Sequence, residues 1–191
     1  MYLKNKFTSF LFLLLIFSCQ PVEIITPVNF DITKLKKFSI NVKNIIINLD
    51  YNPVFSENNI EDQLNMPPIR VMQDWINTNI KIFGNQNELI INILDASILK
   101  KEIDNLEATK YEEKTIYQYE VFFLVQYELY DNSKYLIAST TVETSRSTTS
   151  QKYISLNETE LIVNDLILKA ITDFADQSKS MVELYMQGFI Q

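Results

Sequence analysis

The chain has 191 residues, of which 47% are hydrophobic and 21% are charged, enough for one domain with a sizeable core. It contains no histidine, one cysteine and two glycines. These counts exclude a Ser-His-Asp triad, a Cys-His dyad, a histidine-rich zinc site, a four-cysteine cluster and a glycine-rich phosphate loop. The net charge of −7 argues against a nucleic acid partner, because proteins bind phosphate backbones through basic surfaces.

Residues 1–18 have the pattern of a secretory signal peptide. The basic stretch MYLKNK is followed directly by an apolar run over residues 7–17, which is too short to span a bilayer as a stable helix. The only cysteine of the chain, Cys19, comes immediately after this run and the small residue Ser18. Cleavage before Cys19 would remove two lysines and no acid, so the net charge of the remainder would become −9.

This N-terminal segment resembles a bacterial lipoprotein signal. Ile16, Ser18 and Cys19 fit its pattern, whereas Phe17 is bulkier than the pattern usually has. The resemblance implies that Cys19 is acylated and holds the protein on a lipid bilayer, and Gln20 after the cysteine implies the periplasmic face of the outer membrane. The alternative is an ordinary secretory signal with an incidental cysteine, although an exported structural cysteine would need a partner that this sequence does not contain.

Residues 19–37 are predicted to form an extended tether, because they lack periodicity and carry Pro21 and Pro27. We therefore expect a single folded domain over residues 38–191. Alternating apolar residues predict a first strand over 38–49, with a bulge near Asn44 where the alternation changes phase. An irregular loop follows over 51–66.

The next elements are one helix and three strands. Pro67 and Pro68 fit a helix start, and apolar residues at spacings of three and four extend the predicted helix from Pro68 to Phe83, where Gly84 would end it. A strand over 88–99 is apolar on both faces and is therefore predicted to be central in the sheet. A charged stretch over 100–114 separates it from a strongly alternating strand over 117–129, and the turn 131–133 leads into a fourth strand over 134–148.

A long amphipathic helix completes the chain. Its capping box is either Ser155 with Glu158 or Asn157 with Glu160, and its apolar stripe runs to residue 189. The resulting order is β-α-β-β-β-α. Because both helices need an apolar sheet face, we predict an α+β fold: a two-layer sandwich of a four-stranded sheet with two helices on one face.

Two resemblances bear on function. The first rests on the order of short motifs in residues 50–160: Tyr51-Asn52-Pro53, Asn59-Ile60-Glu61, Pro67-Pro68, Trp75, Asp95-Ala96-Ser97, Gln118-Tyr119, Ser145-Arg146-Ser147 and Leu156-Asn157-Glu158. In these motifs the chain resembles a small, uncharacterised family of proteobacterial lipoproteins without an assigned activity. The second resemblance is architectural, to the lipopolysaccharide-transport lipoproteins and the auxiliary lipoproteins of ABC-type envelope transporters, and it implies an accessory role in assembly or transport.

Four residues are candidates for partner binding. Arg70 and Arg146 are the two arginines of a lysine-rich chain, and a guanidinium offers a planar fork of donors that an ammonium lacks. The alternative for each is a structural clamp on a carboxylate or on loop carbonyls. Tyr51 and Glu61 lie in the long loop 51–66, and long loops in compact domains are often functional, although this one could be a solvated connection.

The sequence predicts a non-catalytic accessory of envelope assembly or lipid transport, anchored to the membrane through Cys19. A binding module for a small molecule or a glycan is the alternative. Paired carboxylates could in principle cleave glycosides, but no pair is clearly placed at catalytic spacing, so we predict no enzyme activity. No cofactor and no metal site are predicted. The apolar face of strand 117–129 is expected to be core, and its opposite, mixed face could be covered by another chain.

Overall fold

A computed structural model describes residues 30–53 and 56–190. Residues 1–29, which include the predicted signal peptide and Cys19, lie outside the described residues. In chain order the elements are β1 (Phe38–Ile40), β2 (Asn44–Leu49), α1 (Pro68–Asn79), β3 (Ile80–Ile82), β4 (Glu88–Asp104), β5 (Thr115–Tyr130), β6 (Leu136–Ser150) and α2 (Leu156–Tyr185). The main element is a four-stranded sheet in the order β2-β4-β5-β6, in which β2 and β4 are parallel and the other neighbours are antiparallel.

Both helices pack on the same face of this sheet, as predicted. Alternation along β5 places Tyr119, Phe123 and Tyr127 on the buried face. The ring of Phe174 in α2 lies 5.6 Å from that of Phe123 and 5.6 Å from that of Trp75 in α1, so one aromatic cluster joins the two helices to the sheet. The predicted α+β two-layer fold, with strand 88–99 in the interior of the sheet, is confirmed.

The first predicted strand is divided in two. The chain leaves the strand conformation at residues 41–43, so that β1 and β2 belong to different sheets. The predicted helix to Phe83 is wrong in its last turn: α1 ends at Asn79, and β3 pairs in parallel with β1 through Phe38 and Ile80. The pattern Ile-Lys-Ile suits a strand as well as a helix, and pairing with β1 decides between the two.

Gly84 lies at the division between β1 and β2, where two chain segments touch. A Cβ atom at Gly84 would lie 2.2 Å from the side-chain oxygen of Asn41 and 2.7 Å from the backbone nitrogen of Val42. The glycine is therefore needed for a close approach of two backbones, and its predicted role as the end of a helix is wrong.

The remaining elements follow the sequence pattern with shifted ends. The predicted charged stretch 100–114 is wrong in its first part, because Lys100 to Asp104 continue β4. The first of the two predicted capping boxes is present: the Ser155 hydroxyl accepts from the Glu158 nitrogen at 3.2 Å, and the Glu158 carboxylate accepts from the Ser155 nitrogen at 2.9 Å. The helix ends at Tyr185, short of the predicted stripe to 189.

Residues 30–37, the last part of the predicted tether 19–37, are packed on the domain and not extended. They include a short 3-10 turn, Ile32–Lys34. The indole nitrogen of Trp75 donates to the Lys36 carbonyl at 3.2 Å, and the Asn79 amide donates to the Ile32 carbonyl at 2.8 Å. Two side chains of α1 thus hold this segment against the domain. Neither the prolines nor the lack of periodicity in the sequence indicated these contacts.

Candidate binding cleft

The long loop completes an edge of the sheet. The pairing of β2 with β4 reaches Ile93, so the second half of β4 has one edge that β2 does not cover. The loop takes this edge: the Lys100 nitrogen donates to the Asn58 carbonyl at 2.7 Å, and Asn59 forms a bridge with Leu99. Backbone groups of β4 are satisfied in this way, and the loop is fixed against the sheet.

Glu61 is the centre of a hydrogen-bond cluster in this loop. It begins a 3-10 turn, Glu61–Gln63, and is only 6% exposed. One carboxylate oxygen, Oε1, accepts from the Tyr51 hydroxyl, from the Asn59 amide at 3.2 Å and from the backbone nitrogen of Ile98 in β4 at 3.3 Å. The other, Oε2, is buried and has no hydrogen-bond partner among the described residues. The carboxylate therefore joins the start of the loop at Tyr51 and its middle at Asn59 to β4.

The environment of Tyr51 keeps its phenol protonated. Burial is the main cause that raises the pKa of Tyr51, and the hydrogen bond to Glu61, together with the charges of Glu61 and Asp95, raises the pKa further. A phenol that retains its proton can donate to the carboxylate throughout the physiological range. Tyr51 and Glu61 thus act as a pair that positions the loop.

A cleft of about 290 Å³ lies between the 3-10 turn of this loop and the first turns of α2. Its floor is formed by β4 and β5. The Asn65 amide donates to the Glu160 carboxylate at 3.1 Å and so ties the two walls together. The apolar lining consists of Ile60, Leu64, Tyr119, Leu156 and Val163, and the polar lining of Gln63, Asn65, Lys100, Thr159, Glu160 and Asn164.

Two polar side chains of the lining have no hydrogen-bond or ion-pair partner among the described residues. Asn164 is 6% exposed, and its amide makes no hydrogen bond to any residue in 30–53 or 56–190. The Lys100 ammonium forms no ion pair with a described carboxylate; it lies 3.9 Å from the ring centroid of Tyr117 and 5.9 Å from that of Tyr119. An amide that lines the cleft and a cation are therefore left for a molecule in the cleft.

The structure brings together two of the four predicted binding residues. Tyr51 and Glu61 share a hydrogen bond beside the cleft. Arg70 is exposed on the first turn of α1, and its guanidinium contacts no described partner through a hydrogen bond or an ion pair. Two guanidinium nitrogens of Arg146 on β6 donate hydrogen bonds to the two carboxylate oxygens of Asp173 on α2. These hydrogen bonds to Asp173 raise the pKa of Arg146. The clamp alternative thus describes the contacts of Arg146, and partner binding by the four residues stays a prediction.

Lys100 and Asn164 were missed as site residues, although the sequence holds a signal for each. Lys100 follows Ala96 and Ile98 on the same face of the strand, so it is a lysine on a face that is otherwise buried. Asn164 lies next to Val163 and three residues before Ile167, which makes it a polar residue within the apolar stripe of α2.

The face of the sheet opposite the helices is mainly polar. The Asn48 amide donates to Asn92 at 2.8 Å, and the Asn92 amide donates to Glu128 at 3.2 Å, which gives a ladder across three strands. Phe122 and Leu124 are half-buried on this face without a helix above them. That another chain covers this face stays a prediction.

Comparison with known proteins identifies solved structures but no family. No family model matches the chain, and no curated protein matches it. The chain is similar to a minor lipoprotein from Acinetobacter baumannii, at 14% identity and a TM-score of 0.37, over 71% of this chain and 86% of that one. It is also similar to rare lipoprotein B from Shewanella oneidensis, at 15% identity and a TM-score of 0.37, over 74% of this chain and 96% of that one. At these TM-scores the function has to be argued from the chain's own residues.

Residues 30–53 and 56–190 contain neither a membrane-spanning helix nor a metal-binding cluster. None of the helices between residues 30 and 190 is long and apolar enough to cross a membrane. Within the same part of the chain, no group of three or more histidine, cysteine, aspartate or glutamate side chains could hold a metal ion.

Proposed function

We propose that the protein is a lipoprotein of the bacterial envelope, anchored through acylated Cys19, and that it serves as a non-catalytic accessory in envelope assembly or lipid transport. The observation that carries the proposal is the position of the only cysteine, directly after a basic stretch, an apolar run and a small residue. A cysteine at this position is a substrate for acylation and has no partner for a disulfide.

The packing of residues 30–37 on α1 supports a location close to the bilayer. Only residues 19–29 separate the acylation site from the fold, and at about 3.3 Å per residue they can reach at most about 35 Å. The chain that remains after cleavage before Cys19 would have a net charge of −9 and would be repelled by anionic headgroups. The acyl chains, and not a basic face, would therefore hold the protein on the membrane. We propose the periplasmic face of the outer membrane, because Gln20 follows the cysteine.

Replacing Cys19 tests the anchor. Cys19→Ser removes the thiol that would carry the lipid, so the protein is expected in the soluble periplasmic fraction. Ser18→Ala is the matched control, because it keeps a small residue before the cysteine, and this variant is expected to stay in the membrane fraction. Continued membrane fractionation of Cys19→Ser would contradict the proposal.

The accessory role is tested separately by crosslinking in cells. We expect a membrane-anchored accessory to crosslink to components of an envelope transport or assembly complex, and we expect Arg70→Ala or Arg146→Ala to weaken crosslinks if these guanidinium groups bind the partner. If an unrelated exported lipoprotein gave the same crosslinked products as this protein, the crosslinks would not come from a specific complex and the proposed accessory role would be contradicted.

The second candidate function is a binding module for a small molecule or a glycan, and the cleft between the loop and α2 favours it. A cleft with apolar walls and a few unpaired polar groups is typical of ligand sites. A binding module would gain thermal stability from a soluble ligand, because a ligand that binds only the folded state stabilises it by mass action. An accessory without a ligand would show no such gain.

A further inference from the structure

We infer that the cleft binds a small amphiphilic monocarboxylate, with its apolar body between the loop and α2 and its carboxylate at Lys100 and Asn164. The inference rests on the binding-module candidate and is independent of acylation at Cys19. No catalytic step is involved.

The volume of the cleft suits a small molecule. A water molecule occupies about 30 Å³ in the liquid, so a volume of about 290 Å³ corresponds to about ten non-hydrogen atoms. This is near the lower limit for ligand pockets in proteins. An eight-carbon carboxylate has ten non-hydrogen atoms and matches this volume.

The walls favour an apolar body. Leu64 on the loop and Val163 on α2 face the cleft from opposite sides, and Ile60 and Tyr119 add apolar surface. Leu156 lies at the rim and is 85% exposed, so the cleft continues into an exposed apolar surface. An apolar chain in the cleft would remove this surface from water.

Lys100 gives the cleft a preference for a negative charge. Its side chain is half-buried among the rings of Tyr117 and Tyr119, and no described carboxylate neutralises it. The acid in the lining, Glu160, accepts a hydrogen bond from the Asn65 amide at 3.1 Å and forms no ion pair with Lys100. The single positive charge of Lys100 suits a ligand with a single negative charge and not a phosphate with two charges.

Asn164 supplies the second polar contact. The residue Asn164 is 6% exposed and lines the cleft, and its amide is not among the fully enclosed polar atoms that lack a partner, so the amide is accessible from the cleft. Its donor group can bind a carboxylate oxygen, whereas no described residue takes that place. A neutral sugar would need several polar partners spread around its ring, and the apolar lining provides few of them.

The test measures binding by isothermal titration calorimetry with the full chain carrying Cys19→Ser. The probes are octanoate, octan-1-ol as its neutral equivalent and N-acetylglucosamine as a sugar. We expect octanoate to bind at least about tenfold more tightly than octan-1-ol, and N-acetylglucosamine not to bind, since charge-assisted hydrogen bonds contribute the difference.

Matched lysine variants locate the bound carboxylate. Lys100→Gln is expected to weaken octanoate binding at least about tenfold. Lys101→Gln is the control, because Lys101 is the next residue on the same strand but faces the opposite side of the sheet and lies near Glu120. The octanoate affinity of this variant is expected to stay within about twofold of that of the parent. Asn164→Leu keeps the side-chain volume, removes the amide and should also weaken binding.

Three results would overturn the inference. These are no heat with octanoate, equal affinity for octanoate and octan-1-ol, and equal effects of Lys100→Gln and Lys101→Gln. The first two comparisons use the chain with both lysines intact, so they hold even if a variant fails to fold. Because the fractionation of Cys19→Ser is measured independently, failure of the anchor and failure of the ligand are distinguishable.

Discussion

The hydrogen bond between Tyr51 and Glu61 gives the most direct stability prediction. Tyr51→Phe removes the hydroxyl and leaves the buried Glu61 carboxylate with the Asn59 amide at 3.2 Å and the Ile98 nitrogen at 3.3 Å. A hydrogen bond to a charged group contributes about 1.5 to 3 kcal/mol. Because Tyr51 is half-exposed and two donors remain, we expect a loss near the lower end, about 1.5 to 2 kcal/mol in the free energy of unfolding.

Urea denaturation followed by circular dichroism measures this loss. For a domain of this size it corresponds to a fall in melting temperature of about 3 to 8 °C. Tyr153→Phe is the matched control, because Tyr153 is 88% exposed and its hydroxyl makes no hydrogen bond to a described residue; its change should stay within about 0.5 kcal/mol. Equal stability of the two variants would refute the view that Tyr51 and Glu61 fix the loop.

Three further predictions concern other parts of the fold. Gly84→Ala should destabilise the protein by about 2 kcal/mol or more in urea melts, because the new Cβ meets backbone atoms, whereas Gly188→Ala, with no atom within 4 Å, should be nearly neutral. Arg146→Lys should lower the melting temperature less than Tyr51→Phe does, because the ion pair is half-exposed. Burial raises the pKa of Tyr127, so the free energy of unfolding should fall as pH rises above about 10, where the phenol ionises only in the unfolded chain. In urea melts across this pH range, Tyr127→Phe should reduce that fall. The same pH dependence in Tyr127→Phe would show that Tyr127 does not cause it.

The parts of the fold that depend on periodicity could be predicted from the sequence. The alternation along β5 and the capping box at Ser155 each reflect a local rule, and the structure confirms both. The end of α1 and the division between β1 and β2 depend on pairing between distant segments. A pattern such as Ile80-Lys81-Ile82 contains no information about that pairing.

The candidate site could be predicted only in part, because it also depends on contacts between distant segments of the chain. The long loop was recognised by its length, and it does hold the Tyr51 and Glu61 pair. The cleft forms where this loop meets the start of α2, about 100 residues later in the chain, and the Asn65 to Glu160 hydrogen bond spans 95 positions. Lys100 and Asn164 become site residues only through that contact.

The central claim is that the protein is held on a membrane by lipid on Cys19. Mass spectrometry of the N-terminal peptide, from protein extracted from cell membranes, tests it most directly. We predict a chain that begins at Cys19 and carries the added mass of acyl chains. An N-terminus at another residue, or a Cys19 without added mass, would contradict the account.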